Sequence, residues 1–128
     1  MLRGMHDDLS DTHREIRALA RDFAEGEIAP NASAWNEQQH VPLEVIKQMG
    51  ALGLLGIVVP EEYGGSGLDA TSLALVMEEV ACADAGTSVA IAVQNGLVAS
   101  PIVRAGTEEQ KHEWLPRIAS GEMIGCYA

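Results

Sequence analysis

The residues best suited to chemistry in this chain are its acidic pairs, its histidines, one glycine cluster and one apolar stripe. Glu61-Glu62, Glu78-Glu79 and Glu108-Glu109 invite an acid–base reading, because two carboxylates with separated pKa values can share proton transfer. Adjacent residues on a helix point about 100° apart, so such pairs do not converge on one reacting atom. Glu108-Glu109 also follows Thr107 at a helix start, where the dipole favours acids. The pairs therefore read as solvated helix surface. His6, His13, His40 and His112 are scattered among polar residues with no HExxH or other ligand spacing, which gives no metal site. Ser66 and Ser72 lack a GxSxG elbow or a paired base.

Gly64-Gly-Ser-Gly67 precedes a helix and could cradle a phosphate on backbone N–H groups. A Walker loop requires a lysine that does not follow here, and Asp69 takes the cap position an anion would use. A turn with positive φ is the expected role. Val89, Val93 and Leu97 are spaced i, i+4, i+8, a stripe that describes helix core and the wall of an apolar pocket equally well.

The elements that carry these residues are helical. Ile16, Leu19, Ala20, Phe23 and Ala24 form one stripe of a helix from Ser10 to Ile28, with Ser10 or Asp11 as cap. Pro30 ends or kinks it, and residues 32–38 resume it with Trp35 as a packing anchor. Pro42 is expected at the first position of a second helix with Val45, Ile46, Met49 and Leu52 inward and Gly53 as stop. Ile57-Val58-Val59 reads as a short buried extended run. Asp69 caps the helix from Ala70 to Cys82, whose stripe is Leu73, Val76, Met77 and Val80, with Glu78-Glu79 beside it. Asp84 opens a helix to Leu97 that is uncharged after Asp84. Apolar on nearly all sides, it is expected at the centre. A separate turn or two covers residues 98–104. Thr107 and Gln110 form a capping box for the last helix, which Pro116 disturbs and Ile118 completes. The sum is an all-α domain of about six helices with one irregular loop.

A chain of 128 residues suits one domain, and its 47% apolar but only 4% aromatic content implies an aliphatic core. A formal charge of −11 and a pI near 4.6 oppose binding to nucleic acid or anionic membranes. Cys82 and Cys126 are far apart and read as free thiols of a reducing compartment. The first eight residues lack a signal peptide's basic start and apolar stretch, and no apolar run is expected to reach membrane-span length. A cytoplasmic setting is expected. On these grounds alone the chain is an acidic helical domain without a catalytic constellation.

Ordered segments carry a resemblance that goes further. Arg21-Asp-Phe-Ala-Glu25 with Ile28-Ala-Pro30, then Met49-Gly-Ala-Leu-Gly-Leu54, form the first part. Val59-Pro-Glu-Glu-Tyr-Gly-Gly-Ser-Gly-Leu-Asp69 and Met77-Glu-Glu-Val80 with Asp84 follow. Gly106-Thr-Glu-Glu-Gln-Lys111, Trp114-Leu-Pro116 and Ser120-Gly-Glu122 complete the set. In this order the chain resembles the N-terminal helical domain of the acyl-CoA dehydrogenase family, and Ile124-Gly-Cys-Tyr-Ala128 is most like its short-chain, butyryl-CoA-type members.

The resemblance implies an FAD-dependent oxidation of an acyl-CoA thioester to the trans-2-enoyl-CoA. A carboxylate takes the α-proton, hydride passes to the flavin, and electrons pass on to an electron-transfer flavoprotein. It implies a helical domain over residues 1–122, with 123–128 entering a strand of a β-barrel domain, and a homotetramer for the complete enzyme. Tyr127 and Ala128 match the start of the flavin segment and are expected at the cofactor. Val89, Val93 and Leu97 match positions lining the acyl-chain pocket. The family's Glu-Pro…Gly-Ser-Asp segment, its barrel, its C-terminal bundle and its base are expected beyond Ala128, so the chain is expected to be an inactive fragment. A non-catalytic helical interaction module of the same ancestry is the alternative. A nucleotide-binding α/β unit built on Ile57-Val58-Val59 and the glycine loop is a further rival that requires strands.

Overall fold

The computed structural model describes residues 8–128, so His6 and the first residues of the expected domain lie outside the description. The described residues are all-α, without a strand. Helix α1, Asp11–Phe23, starts at Ser10, whose hydroxyl accepts from the His13 backbone N–H while the His13 ring accepts from the Ser10 N–H. It runs on as a π-helical turn, Ala24–Ile28. After α2, Ala32–Gln38, comes α3, Leu43–Ala51. Pro42 is the cap of α3 and not its first helical residue, because its ψ of 140° is still extended. A 3-10 turn, Glu61–Tyr63, leads through the glycine cluster to α4, Ala70–Ala83, which Asp69 caps as expected.

Next comes α5, Ala85–Ala92, capped by Asp84, then a π-helical stretch Val93–Ala99, then α6, Ser100–Ala105. These are not two separate helices but one rod of 21 residues, Ala85–Ala105. The π stretch lies just ahead of Pro101, which has no N–H to donate; a wider turn accommodates that loss without ending the helix. The rod is long and apolar enough to cross a membrane by length and composition, contrary to the expected absence of such a run. In this fold it is a packed element, with Ile91, Gln94, Asn95 and Ala99 buried by their neighbours. The last helix, α7, Glu108–Ala119, opens on the Thr107–Gln110 capping box and continues through Pro116.

α1 packs on α4, and α4 on α5. Between them lies the larger core, where Ala20, Ile28, Met49, Leu54, Leu55, Val76, Val80 and Ile91 are buried and Trp35 packs from the edge. A smaller core under α7 gathers Val59, Tyr63, Ala99, Leu115 and Ile118. The two meet where α3 touches the end of α7. A Cβ at Gly50 would collide with the Ser120 carbonyl, so this close approach requires glycine.

Ile57-Val58-Val59 is buried or half-buried as expected but is not extended into a strand; it is a series of turns. The glycine cluster folds back on it. Ser66 N–H donates to the Gly56 carbonyl, Gly67 N–H to Val59 and Leu68 N–H to Ile57, each at 2.8 Å. Gly64 and Gly67 take φ of 82° and 61°, which supports the turn reading over the phosphate cradle.

Of the acidic pairs, Glu79 departs from the surface reading. It is 9% exposed and accepts from Arg17 Nε at 2.6 Å and Arg21 Nη2 at 2.8 Å, tying α4 to α1. The hydrogen bonds from Arg21, then those from Arg17, outweigh burial and hold its carboxyl down at about 2. Asp69 is likewise held at about 2, first by the Ser72 backbone N–H and then by His13, whose Nε2 stands 2.9 Å from Asp69 Oδ2. Tyr63 donates its hydroxyl to Glu108 at 2.7 Å, and that bond pushes the phenol up to about 12. These groups hold helices together and converge on no common reacting position.

Candidate functional site

The expected pocket residues sit on the rod Ala85–Ala105. Val89 is 59% exposed and Leu97 is 50% exposed, with Val93 half-buried between them. The expectation that this helix is central on all sides therefore fails on one face. The physical cause is that α4, the loop at 54–58 and α7 cover the other side, and no described residue covers this one fully. Val93 lies within the π-helical stretch, whose wider turn brings residues four to five apart into line, so Val89, Val93 and Leu97 run along one flank.

An apolar cleft of about 290 Å³ lies at this flank. Its lining includes Val89, Val93 and Gln94 of the rod, Ile46 and Leu55, and Ile124 with Gly125. Ile124 is 53% exposed and Tyr127 is 73% exposed, so the apolar face continues from the rod onto the run after α7. Residues 123–128 form no strand here, and Tyr127 and Ala128 are exposed. The structure brings Val89 and Val93 of the stripe together with Ile124-Gly125 in one cleft; Leu97, Tyr127 and Ala128 are not among the lining residues.

Two residues central to this arrangement were not singled out from the sequence. Gln94 is 2% exposed and spans the gap between rod and tail. Its Nε2 donates to Met123 O at 3.0 Å and to Ile118 O at 3.4 Å, and its Oε1 accepts from Gly125 N–H at 2.8 Å. Asn95, fully buried, faces the other way. Its Nδ2 donates to the carbonyls of Leu54 and Ile91, both at 3.0 Å, and its Oδ1 accepts from Val58 N–H at 3.4 Å. The bond to Ile91 supplies a donor within the rod where the change to π register alters the backbone ladder. The available signal was a pair of amides in the middle of an otherwise apolar helix, since buried polar groups require partners.

Other groups of interest are not among the residues lining the cleft. His13 is engaged with Ser10 and Asp69, and the His112 ring meets Tyr63 edge-on with centroids 5.0 Å apart. His40 is exposed. Ser66 donates its hydroxyl to the Gly53 carbonyl, and Ser72 donates to Asp69, so neither is a free nucleophile. Cys82 and Cys126 are exposed free thiols.

Comparison with known proteins gives a consistent result. Residues 10–122 match the family described as acyl-CoA dehydrogenase, N-terminal domain. The chain is 41% identical over 121 residues to a mitochondrial short-chain specific acyl-CoA dehydrogenase of Bos taurus, covering 94% of this chain and 29% of that one. It superposes on a chain from the structure of the electron transferring flavoprotein of Acidaminococcus fermentans. That match has a TM-score of 0.88 and 38% identity over 91% of this chain and 31% of the other. A glutaryl-CoA dehydrogenase from Mycobacterium smegmatis in complex with FADH2 gives a TM-score of 0.85 and 39% identity, over 91% of this chain and 30% of that one. The chain thus spans about a third or less of the length of these proteins.

Proposed function

The chain belongs to the acyl-CoA dehydrogenase family as its N-terminal helical domain, and from this premise we propose that it forms one wall of an FAD-dependent site that desaturates an acyl-CoA thioester. The observation that carries the proposal is the inverted rod, with its exposed apolar flank of Val89, Val93 and Leu97 beside the tail that bears Tyr127 and Ala128.

Val89, Val93 and Leu97 line the acyl chain and exclude water from it. Covering side chains of this size would contribute about 1 kcal/mol each, given their present exposure. Tyr127 and Ala128 lie at the cofactor's edge, where backbone and ring hold the flavin against the wall. FAD, when bound there, supplies the acceptor for the β-hydrogen as hydride. The base that takes the α-proton belongs to another part of the enzyme, because the carboxylates described here are engaged with partners or stand away from the cleft. A dry pocket raises the pKa of such a base toward its working range. The expected continuation of 123–128 as a strand of a barrel domain, and transfer of electrons to an electron-transfer flavoprotein by a homotetrameric enzyme, belong to the same proposal. The exposed thiols Cys82 and Cys126 support a reducing, cytoplasmic setting.

The 128-residue chain by itself is proposed to be inactive. Mixing it with FAD and a short acyl-CoA should leave the flavin spectrum unchanged, whereas the flavoenzyme carrying this domain should bleach. Bleaching by the chain alone would overturn the inactive-fragment reading. Failure of the larger enzyme to bleach with any acyl-CoA would favour the non-catalytic interaction module.

A further inference from the structure

We infer that Gln94 is a positioning residue that latches the tail at 123–125 to the acyl-wall rod, and so sets where Tyr127 and Ala128 stand relative to Val93. The functional meaning of this latch rests on the proposed cofactor role of those two residues. Three features support it. Gln94 lies next to Val93 in the π-helical stretch and lines the same cleft, although it is only 2% exposed. Its amide is used on both sides: Nε2 donates to Met123 O and Ile118 O, and Oε1 accepts from Gly125 N–H. An apolar side chain would fill the same volume without bonding the tail to the rod. The latched segment also has no slack. A Cβ at Gly125 would collide with the Val98 Cγ1 methyl, so the backbone is drawn directly against the rod.

The latch spans residues that are far apart in sequence, 24 to 31 positions away from Gln94. It forms the polar contacts between the rod and the run after Gly121. Beyond Gly125 the chain reaches Tyr127 in two residues, or at most about 7 Å of extended backbone. A shift at Gly125 therefore passes to the proposed cofactor contact with little loss.

The test uses amide exchange on the 128-residue chain. In Gln94→Leu, the protection factor of Gly125 N–H should fall by about tenfold, the equivalent of one net hydrogen bond, while Ala20 and Val76 amides keep theirs. Gln94→Glu gives a readout that a filler role would not produce. Its carboxylate can accept from Gly125 but cannot donate to Met123, and protonation restores the donor. Gly125 protection in this variant should therefore recover as pH is lowered, with no such recovery in Gln94→Leu. Unchanged protection in Gln94→Leu, or Gln94→Glu behaviour independent of pH, overturns the latch. In the flavoenzyme carrying this domain, Gln94→Leu should weaken FAD binding about tenfold. Loss of Gly125 protection with FAD affinity intact would confirm the latch and instead overturn the placement of Tyr127 and Ala128 at the cofactor.

Discussion

The two faces of the rod Ala85–Ala105 reverse the usual distribution of polarity. Its buried face carries Thr87, Ser88, Gln94 and Asn95 beside Ile91 and Ala99, while its exposed face carries Val89 and Leu97. The buried polar groups all have partners: Thr87 bonds Asp84, Ser88 donates to the Met77 carbonyl, and the two amides bond the loop and the tail. The exposed apolar groups are only partly covered by described residues. The difference teaches that the inner face encodes placement of the rod, and the outer face encodes a surface that gains stability only when something apolar lies on it.

The largest effect should come from breaking the inner face. Asn95→Leu leaves the Leu54 and Ile91 carbonyls without their amide donor and the Val58 N–H without its acceptor. The loss should be about 3 kcal/mol, read as a lowered urea midpoint. If the variant unfolds at the wild-type midpoint, the inner face is not a placement device.

A second buried polar group sharpens the same contrast. Glu79→Gln should destabilise by about 2 kcal/mol, below the range for a fully buried pair, because the Arg17 and Arg21 side chains are 22% and 49% exposed. The pH dependence has a definite sign. Glu79 and Asp69 have folded-state pKa values lowered to about 2. Their contribution is present above the unfolded carboxylate range and is lost as pH falls from about 5 toward 2. Thermal midpoints should drop through that window in the wild type, and less steeply in Glu79→Gln. A flat acid limb would remove both ion pairs from the account of stability.

The outer face should respond least in stability. Val89→Ser and Leu97→Ser should each change the unfolding free energy of this chain by less than about 0.5 kcal/mol, since neither side chain is well buried. The pair together should reduce binding of a hydrophobic dye. A loss approaching that of Asn95→Leu would mean the outer face is core.

The helix starts were legible in the sequence because caps are local. Ser10, Asp69, Asp84 and Thr107 all cap where side-chain chemistry and the following apolar pattern place them. The glycine turn was legible for the same reason. What escaped was set by tertiary packing. Ile57-Val58-Val59 has the β-branched composition of a strand, but the Gly64–Gly67 turn folds back to donate to it, so turns replace extension. The separate turn expected at 98–104 is instead joined to α5 through the π stretch. The stripe Val89, Val93, Leu97 was visible as a pattern, but its exposure was not, since periodicity shows which residues share a face and not what that face meets. The roles of Gln94 and Asn95 depend on carbonyls 24 to 41 positions away, Asn95's own Ile91 partner apart, and no local pattern says which carbonyls those are.

The central claim, that the exposed flank of this rod is the acyl-chain wall, is tested most directly by the chain-length profile of the flavoenzyme carrying the domain. Val93→Phe adds bulk to the wall, so kcat/KM for the longest acyl-CoA accepted by the wild type should fall at least about tenfold relative to that for the shortest. An unchanged ratio, with both substrates turned over as in the wild type, would contradict the account and leave the flank as a surface for another part of the protein.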